Sequence, residues 1–251
     1  MLNNKKIIVF IPAFNTEKTI QKTLDAIPKD VVDEIIVVDD GSRDKTAEIA
    51  ERNGVRLIRH PQNKGYGAAQ KTGYKAAIDD GGDVMIMVHS DFQYDPTLVK
   101  PMAEKVAAGD VDVCFGSRLH DKGSARRGGM PLWRFAANVA LTIVEDFFFK
   151  LGLTEYHTGY RAYSRGLLTQ IPIEKNSDNY VFDTEMFAEI SLGKFKVAEI
   201  PIPTRYTEES QSPNFYKSVQ YGLMTLQVIG KFLLHRWGLK MYPQFIIKTN
   251  E

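Results

Sequence analysis

Short apolar runs alternate with amphipathic segments along the first half of the chain. The runs that predict β-strands are residues 7–11, 34–38, 55–59, 84–88 and 111–115. The segments between them have the spacing of helices that bury one face. Such alternation is typical of a mainly parallel sheet with helices on both faces, so the predicted fold class is α/β.

Each predicted strand ends in a polar loop. The loops begin at Pro12, Asp39, His60, His89 and Gly116. Because the carboxyl ends of parallel strands meet at one edge of a sheet, where open α/β proteins bind ligands, we expect these loops to converge on one crevice. The stretch 84–96 is the most informative, since five apolar residues lead directly into the acidic and amide side chains around Asp91.

The second half of the chain has a different pattern. Long helices are predicted over 132–151 and 215–237, with a helix near 182–192 and a strand-like segment over 196–202 between them. Apolar stripes on helices usually pack into a core. Here Trp133, Arg134 and the run 231–237 also have the chemistry of a helix at a membrane interface, so both roles remain open.

Composition narrows the possible functions. Of the 251 residues 43% are hydrophobic, which is enough for a sizeable core, and the net charge of +1 favours no nucleic-acid partner. The single cysteine, Cys114, excludes an internal disulfide and fits a reducing compartment. No stretch of about 20 apolar residues occurs. We therefore expect a cytoplasmic protein that does not span a membrane.

Two adjacent carboxylates, Asp39 and Asp40, follow the second predicted strand. There they could accept hydrogen bonds from ribose hydroxyls or a base N–H, whereas Ser42 or Asp44 could cap the next helix. Turn formation is the alternative role for the pair. Ligand binding is favoured, because adjacent acids at a crevice need a compensating partner.

Four ordered segments resemble one enzyme family. They are Ile11-Pro-Ala-Phe-Asn-Thr-Glu, Val37-Val-Asp-Asp-Gly-Ser, Asn63-Lys-Gly-Tyr-Gly-Ala-Ala and Asp91-Phe-Gln-Tyr-Asp-Pro. This set resembles the inverting family 2 glycosyltransferases, specifically the dolichyl-phosphate mannose synthase-like branch. The resemblance implies a GT-A fold that binds a nucleotide sugar.

The resemblance also implies which residues bind the donor. Those expected at the base and ribose are Pro12, Phe14, Asn15, Glu17, Asp39 and Asp40. Those that complete the nucleotide-sugar site are Lys64, Asp91, Gln93, Arg205 and Ser210. The last two keep the spacing of the family's Arg-x-x-Gly-x-Ser signature, although Glu208 replaces its glycine.

His89 and Asp91 occupy the two acid positions of the family's Asp-x-Asp motif, which grips a divalent ion, Mg or Mn, on the donor diphosphate. Asp91 is the expected metal ligand, and Gln93 would orient the sugar or a metal-bound water. Three roles are open for His89: a direct ligand, a hydrogen-bond donor to phosphate, or a packed ring. The second is favoured, because Mg²⁺ commonly needs only one or two protein carboxylates.

The acceptor side is predicted from arginines. Arg118 at the end of the fifth strand and Arg134 beyond it are suited to a phosphate. Arg161, in a segment that resembles the family's acceptor loop, either contacts that phosphate or ties the loop down. Asp183 stands where other family 2 enzymes place a catalytic base, and the alternative is an acid that stabilises a helix N-terminus.

We therefore predict an inverting glycosyltransferase that moves a sugar from a UDP- or GDP-linked donor to a polyprenyl phosphate or other lipid-linked acceptor. It would be peripheral at the inner face of the membrane, in cell-wall biogenesis, with a second copy or a membrane protein as possible partners. The alternatives are transfer to a hydroxyl of a cell-wall or surface polysaccharide, and a non-catalytic nucleotide-sugar-binding protein.

The predicted organisation has two parts. Residues 1–210 form the glycosyltransferase domain, with a donor half over about 1–118 and an acceptor half over about 119–210. Residues 211–251 form a C-terminal appendage of amphipathic helix that could lie at the membrane interface.

Overall fold

The computed structural model describes residues 2–121, 125, 128–203 and 215–248, and seven strands of these residues form one sheet. The strands are β1 (Ile7–Ala13), β2 (Glu34–Asp39), β3 (Arg56–Arg59), β4 (Val84–Met87), β5 (Val113–Ser117), β6 (Arg161–Ser164) and β7 (Val197–Pro201). Their order is β3-β2-β1-β4-β6-β5-β7, and all neighbours are parallel except the two pairs with β6. Arg205, Glu208 and Ser210 lie outside the described residues.

Helices cover both faces of this sheet. They are α1 (Ile20–Ala26), α2 (Thr46–Arg52), α3 (Tyr66–Asp79), α4 (Val99–Ala107), α5 (Leu132–Phe149), α6 (Arg165–Gln170), α7 (Phe182–Gly193) and α8 (Phe215–Arg236). Short 3₁₀ turns span Pro96–Leu98, Ile173–Lys175 and Pro243–Phe245. The predicted mixed α/β fold with a mainly parallel sheet is confirmed.

The central strand β1 is buried on both faces. Ile8 and Phe10 point into one apolar cluster with α3 and α7, while Ile7 and Val9 point into another with α1 and α4. Burying each such side chain stabilises the fold by about 1.5–3 kcal/mol. Helix α3 approaches so closely that a Cβ at Gly73 would lie 2.2 Å from the Phe10 ring. Strand and helix are therefore fixed in register around this glycine.

Strand β6 was not predicted from the sequence. Its four residues, Arg161-Ala-Tyr-Ser164, lack the apolar run that marks β4, and the segment was expected to be part of an acceptor loop. It runs antiparallel between β4 and β5, with Met87 paired to Arg161. The chain leaving β4 therefore faces the chain entering β6, which places residue 89 opposite residue 159.

The C-terminal helix shares the main core. Val228, Ile229 and Phe232 of α8 and Phe245 after it belong to the same buried cluster as α7. The predicted boundary between residues 210 and 211 stays a prediction, but the buried face of α8 is part of the domain's core. In the described part of the chain, none of the helices combines the length and apolar character needed to cross a membrane.

Phe232→Ala is expected to destabilise the whole protein by about 3–5 kcal/mol, because it removes a fully buried ring. That ring packs edge-on against Phe149 with centroids 5.1 Å apart. Urea unfolding should show one transition at a lower midpoint. Leu226→Ala, at an exposed position of the same helix, should shift it by less than about 0.5 kcal/mol. An unmoved main transition in Phe232→Ala would show that α8 folds apart from the domain.

Candidate active site

Two cavities meet at the sheet edge where β1, β2 and β4 end and β6 begins. The larger, of about 500 Å³, is lined by Pro12, Phe14 and Asp40 among others. The smaller, of about 190 Å³, is lined by Gln93, Arg118, Arg134, His157 and Asp183 among others. Tyr66, His89, Asp91 and Tyr180 line both. The cavities therefore form one cleft with a shared wall, and most of the predicted site residues lie along it.

Asp40 organises the loop that follows β3. Its Oδ1 accepts hydrogen bonds from His60 Nδ1 (2.6 Å) and from the backbone N of Lys64 (2.9 Å). Its Oδ2 accepts from the backbone N of Gly65 (3.0 Å). Asp40 also lines the larger cavity, so it combines loop ordering with a position at the ligand surface. A donor-binding role for Asp40 and Lys64 stays a prediction.

Asp39 is turned away from the cleft. Its Oδ1 accepts a hydrogen bond from the backbone N of Ser42 (3.0 Å), and its Oδ2 lies 3.1 Å from Arg59 Nε. The side chain is fully buried and lines neither cavity. These contacts match the turn role that the sequence left open, and ligand binding by Asp39 stays a prediction.

Asn15 and Glu17 join the first loop to the loop after β2. Asn15 has a left-handed backbone (φ 52°), and its Oδ1 accepts from the backbone N of Arg43 (2.9 Å). Glu17 Oε2 accepts from the backbone N of Lys45 (3.1 Å). Both side chains thus support the cavity wall. Phe14, beside them, is 37% exposed and lines the larger cavity, where an aromatic ring can contact a base.

Tyr66 is a site residue that sequence reasoning missed. The glycines on either side let the start of α3 pack on the segment 177–179, since a Cβ at Gly65 would lie 2.4 Å from Asp178 O and one at Gly67 2.3 Å from Ser177 O. The first residue of this helix thus brings its phenol to the wall common to both cavities, where the ring stacks on Tyr180 at 5.2 Å. The flanking glycines were the available sequence signal.

His89 lies against Gly159. A Cβ at residue 159 would come 1.9 Å from His89 Nε2, so only glycine leaves room for the imidazole. Burial lowers the pKa of His89 below its usual value, and the charges of Asp91 and Asp183 oppose this only in part. Burial thus favours the neutral form of the ring, which is the form that binds metal ions.

Asp91 and Gln93 are brought into the smaller cavity by a strained turn. Phe92 between them has a left-handed backbone (φ 55°), which costs a non-glycine residue about 1–3 kcal/mol and is typical of functional sites. The backbone N of Gln93 donates to Asp91 Oδ1 (3.1 Å). Both side chains are buried to more than nine-tenths yet line the cavity. The turn thus presents a carboxylate and an amide together.

A metal ion at this place would need ligands from outside the protein. Among the described residues no group of three or more His, Cys, Asp or Glu is arranged to hold one. Asp91 and His89 are adjacent on the shared wall and offer one oxygen and one nitrogen donor. Such a pair fits a cation that takes its other ligands from phosphate and water.

Asp183, at the second position of α7, lines the smaller cavity and receives several donors. Its Oδ1 accepts from Gln70 Nε2 (2.9 Å), and its Oδ2 accepts from Tyr66 OH (3.4 Å) and pairs with Arg161 Nη2 (3.1 Å). Side-chain donors and a cation therefore already engage both of its oxygens. The role of catalytic base stays a prediction.

Arg118 is held at the cavity wall by a buried acid. Its Nε donates to Glu155 Oε1 (2.7 Å) and its Nη2 donates to the backbone O of His157 (2.7 Å). Glu155 is fully buried, so this ion pair fixes the direction of the guanidinium. Arg134 lines the same cavity with its guanidinium over the Trp133 ring at 5.2 Å.

Arg161 is buried, and its side chain makes contacts within the protein. It is 1% exposed and lines neither cavity. Its Nε donates to Thr158 O (2.9 Å), its Nη2 pairs with Asp183, and its guanidinium lies over the Phe187 ring at 4.8 Å. These contacts fit the second role that the sequence allowed, that of tying the loop down, and a phosphate contact by Arg161 stays a prediction.

Gly159→Ala is expected to destabilise the protein by about 1–3 kcal/mol, the usual cost of overpacking, because the new methyl group would overlap the His89 ring. The loss of unfolding free energy caused by Gly159→Ala should be smaller when His89 is replaced by aspartate, because the aspartate side chain is shorter. Urea unfolding of the single and double variants measures the difference. Gly166→Ala is the matched control, since its Cβ would meet nothing nearer than Ser164 Oγ at 3.9 Å. Equal penalties in both backgrounds would contradict the contact.

A protein-family model described as glycosyl transferase family 2 matches residues 8–171. The uncharacterised protein MJ1222 of Methanocaldococcus jannaschii is 36% identical over 84% of this chain and 86% of its own. The UDP-N-acetylglucosamine–dolichyl-phosphate N-acetylglucosaminyltransferase of Methanococcus voltae is 29% identical over 83% of this chain and 89% of its own.

Two further comparisons cover nearly the whole chain. The undecaprenyl-phosphate mannosyltransferase of Micrococcus luteus is 27% identical over 93% of this chain and 94% of its own. The crystal structure of glucosyl-3-phosphoglycerate synthase from Mycobacterium tuberculosis with Mn²⁺, UDP and phosphoglyceric acid superposes with a TM-score of 0.69. It is 25% identical, and the match covers 95% of this chain and 80% of that one.

Proposed function

The chain belongs to glycosyl transferase family 2, and we propose that it transfers a sugar, with inversion, from a nucleoside-diphosphate sugar to the phosphate of a polyprenyl phosphate. It is a glycosyltransferase with a GT-A fold. The observation that carries the proposal is the shared wall of the two cavities, lined by Asp91 and His89. A donor in the larger cavity and an acceptor in the smaller would meet there.

The larger cavity is assigned to the donor. Phe14 offers an aromatic surface for a base, and Asp40 offers an acceptor for ribose or base. Asp91, on the wall shared with the smaller cavity, would lie near the diphosphate. The Methanococcus voltae relative is named for a UDP-sugar, and the Mycobacterium tuberculosis synthase was crystallised with UDP. A UDP-linked donor is therefore tested first and a GDP-linked donor second. Arg205 and Ser210 are proposed to complete the phosphate side.

A divalent cation, Mn²⁺ or Mg²⁺, is proposed at Asp91 and His89. When bound, it would offset the negative charge that develops on the leaving nucleoside diphosphate. The synthase crystallised with Mn²⁺ and UDP supports a cation in this family. In this chain Asp91 and His89 would hold it, and Gln93 would orient the sugar beside them.

The smaller cavity is assigned to the acceptor phosphate. Arg118 and Arg134 line it together with Lys217 of α8, which gives one side of the cavity a basic character suited to a phosphate. A phosphate oxygen is already ionised near neutral pH and needs no strong base, whereas a hydroxyl acceptor does. The contacts that engage Asp183 fit the former. Two relatives are named for dolichyl and undecaprenyl phosphate, which supports the same class of acceptor.

The acceptor class is tested by transfer from radiolabelled UDP- and GDP-sugars, with Mn²⁺ or Mg²⁺, to a polyprenyl phosphate and to the matching polyprenol. We expect labelled lipid only from the phosphate, because the polyprenol lacks the group that the arginines would bind. Transfer to the polyprenol, to a polysaccharide or to phosphoglyceric acid instead would contradict the proposal. So would nucleotide binding with no turnover on any acceptor.

In the same assay Asp91→Asn is expected to reduce transfer by about 10²–10³-fold, the scale on which one preorganised electrostatic group acts. Asp79→Asn changes the same charge at an exposed position of α3 and should leave the rate unchanged. A rate within twofold of the wild type for Asp91→Asn would refute its role.

We further propose that α5, α8 and the segment after α8 rest on an anionic lipid surface. Apart from Phe14 and Tyr180, which line the larger cavity, every exposed large hydrophobic side chain of the described residues lies on these elements. The stretch 215–248 has several Lys and Arg but no Asp or Glu. Apolar and basic side chains together favour an anionic bilayer. The same helices line the smaller cavity, where a lipid-borne phosphate would enter.

Leu223→Glu combined with Ile143→Glu is expected to abolish co-sedimentation with vesicles that contain phosphatidylglycerol, because both side chains are exposed on these helices. Ala108→Glu adds a charge at an exposed position after α4 and should bind like the wild type. If the wild-type protein does not co-sediment with the vesicles, the proposal is wrong. It is also wrong if the wild-type protein is a dimer and Leu223→Glu is a monomer, because the apolar faces would then form the contact between two copies.

A further inference from the structure

A series of hydrogen-bonded side chains connects α7 to the loop after β4 along the wall common to both cavities. Asp183 Oδ2 lies 3.4 Å from Tyr66 OH, and Tyr66 OH lies 3.2 Å from His89 Nε2. The three residues come from three separate segments of the chain, and all of them line the smaller cavity. The function described above uses His89 directly and gives Tyr66 no role.

The proton order along this series follows from the chemistry of its members. An ionised carboxylate only accepts hydrogen bonds, and Asp183 also pairs with Arg161. Tyr66 has one proton. If that proton pointed at His89, the lone pairs of the phenol oxygen would face a carboxylate oxygen 3.4 Å away. The favourable order is therefore Tyr66 donating to Asp183 and His89 Nε2–H donating to Tyr66.

This order determines what the other nitrogen of His89 can do. With its proton on Nε2, a neutral imidazole carries a lone pair on Nδ1, which can ligate a metal but cannot donate to a phosphate. In the described part of the chain no residue makes a hydrogen bond to Nδ1. The contact with Gly159 holds the Nε2 edge of the ring against the loop before β6. His89 and Asp91 line the same walls.

We propose that Asp183, acting through the Tyr66 hydroxyl, holds His89 as its Nε2–H tautomer, so that Nδ1 can ligate a divalent cation together with Asp91. This rests on the proposed function, which supplies the diphosphate that completes the cation's ligands. The role of hydrogen-bond donor to phosphate, which the sequence favoured for His89, is replaced by that of a ligand. Asp183 and Tyr66 are positioning residues, and a nitrogen ligand favours Mn²⁺ over Mg²⁺.

The tautomer is tested first, on the metal-free protein labelled with ¹⁵N-histidine. Two-bond ¹H–¹⁵N correlation spectra distinguish a protonated from an unprotonated ring nitrogen, and His89→Asp assigns the signal among the five histidines. We expect the His89 proton on Nε2 in the wild type and a mixture of tautomers in Tyr66→Phe, which keeps the ring. A proton on Nδ1 in the wild type, or an unchanged spectrum in Tyr66→Phe, overturns the proposal.

Ligation is tested second, by electron paramagnetic resonance of Mn²⁺ with the protein and UDP or GDP. Tyr66→Phe is expected to weaken Mn²⁺ binding by about 10–100-fold, the usual effect of removing the group that orients a histidine ligand. Asp183→Asn should weaken it in the same direction. Spin-echo modulation from a directly bound nitrogen should appear in the wild type and vanish in His89→Asp, which should also gain affinity for Mg²⁺ relative to Mn²⁺.

Tyr74→Phe is the matched control, because it removes a hydroxyl from the same helix at a ring that lines neither cavity. It should bind Mn²⁺ like the wild type. Equal affinity in Tyr66→Phe and the wild type overturns the positioning role. If the wild type binds either nucleotide with Mn²⁺ but shows no nitrogen modulation, ligation by His89 is wrong while the proposed function stands. If it binds neither nucleotide, the donor assignment and the ligation both fail, whatever the tautomer.

Discussion

The antiparallel insertion of β6 between β4 and β5 is the constraint on which the site depends. Met87 pairs with Arg161, so the loop after β4 faces the loop before β6. This juxtaposition presses His89 onto Gly159 and brings Arg161 beneath the cavity to meet Asp183. If the same strand ran parallel to β4, the residues that precede it would lie at the opposite edge of the sheet. The contact between the two loops therefore follows from the direction and the register of β6.

Buried carboxylates convert this strand arrangement into a preformed cleft. Removing an acid from water costs several kcal/mol unless donors replace the lost solvent. Asp40 receives its donors from the loop after β3, Glu155 from Arg118, and Asp183 from α3 and β6. The bonds that offset the burial of each acid are the same bonds that hold two distant segments together. The same hydrogen bonds therefore both fix the geometry of the loops and compensate the buried charges.

Much of the fold followed from the sequence, because strands buried on both faces leave uninterrupted apolar runs. The loops that begin at Pro12, Asp39 and His89 were expected to converge, and they do. Strand β6 was missed because its sequence, Arg161-Ala-Tyr-Ser164, contains no apolar run. Tyr66 was missed for another reason. Its partner Asp183 lies 117 residues away along the chain, and spacing along the chain carries no record of such a contact.

A histidine in place of a motif carboxylate needs more from its neighbours than an aspartate would, namely space for the ring and a defined tautomer. A carboxylate offers lone pairs in every orientation, whereas an imidazole offers one only from the nitrogen that lacks a proton. His89 therefore needs space for its ring, which Gly159 leaves, and a partner that decides where its proton sits, which Tyr66 and Asp183 provide. Gly159, Tyr66 and Asp183 are far apart in the sequence, yet all three act on the position or the proton of His89 in this proposal. The packing around His89 therefore supports the proposed metal site, in which an imidazole takes the place of a carboxylate.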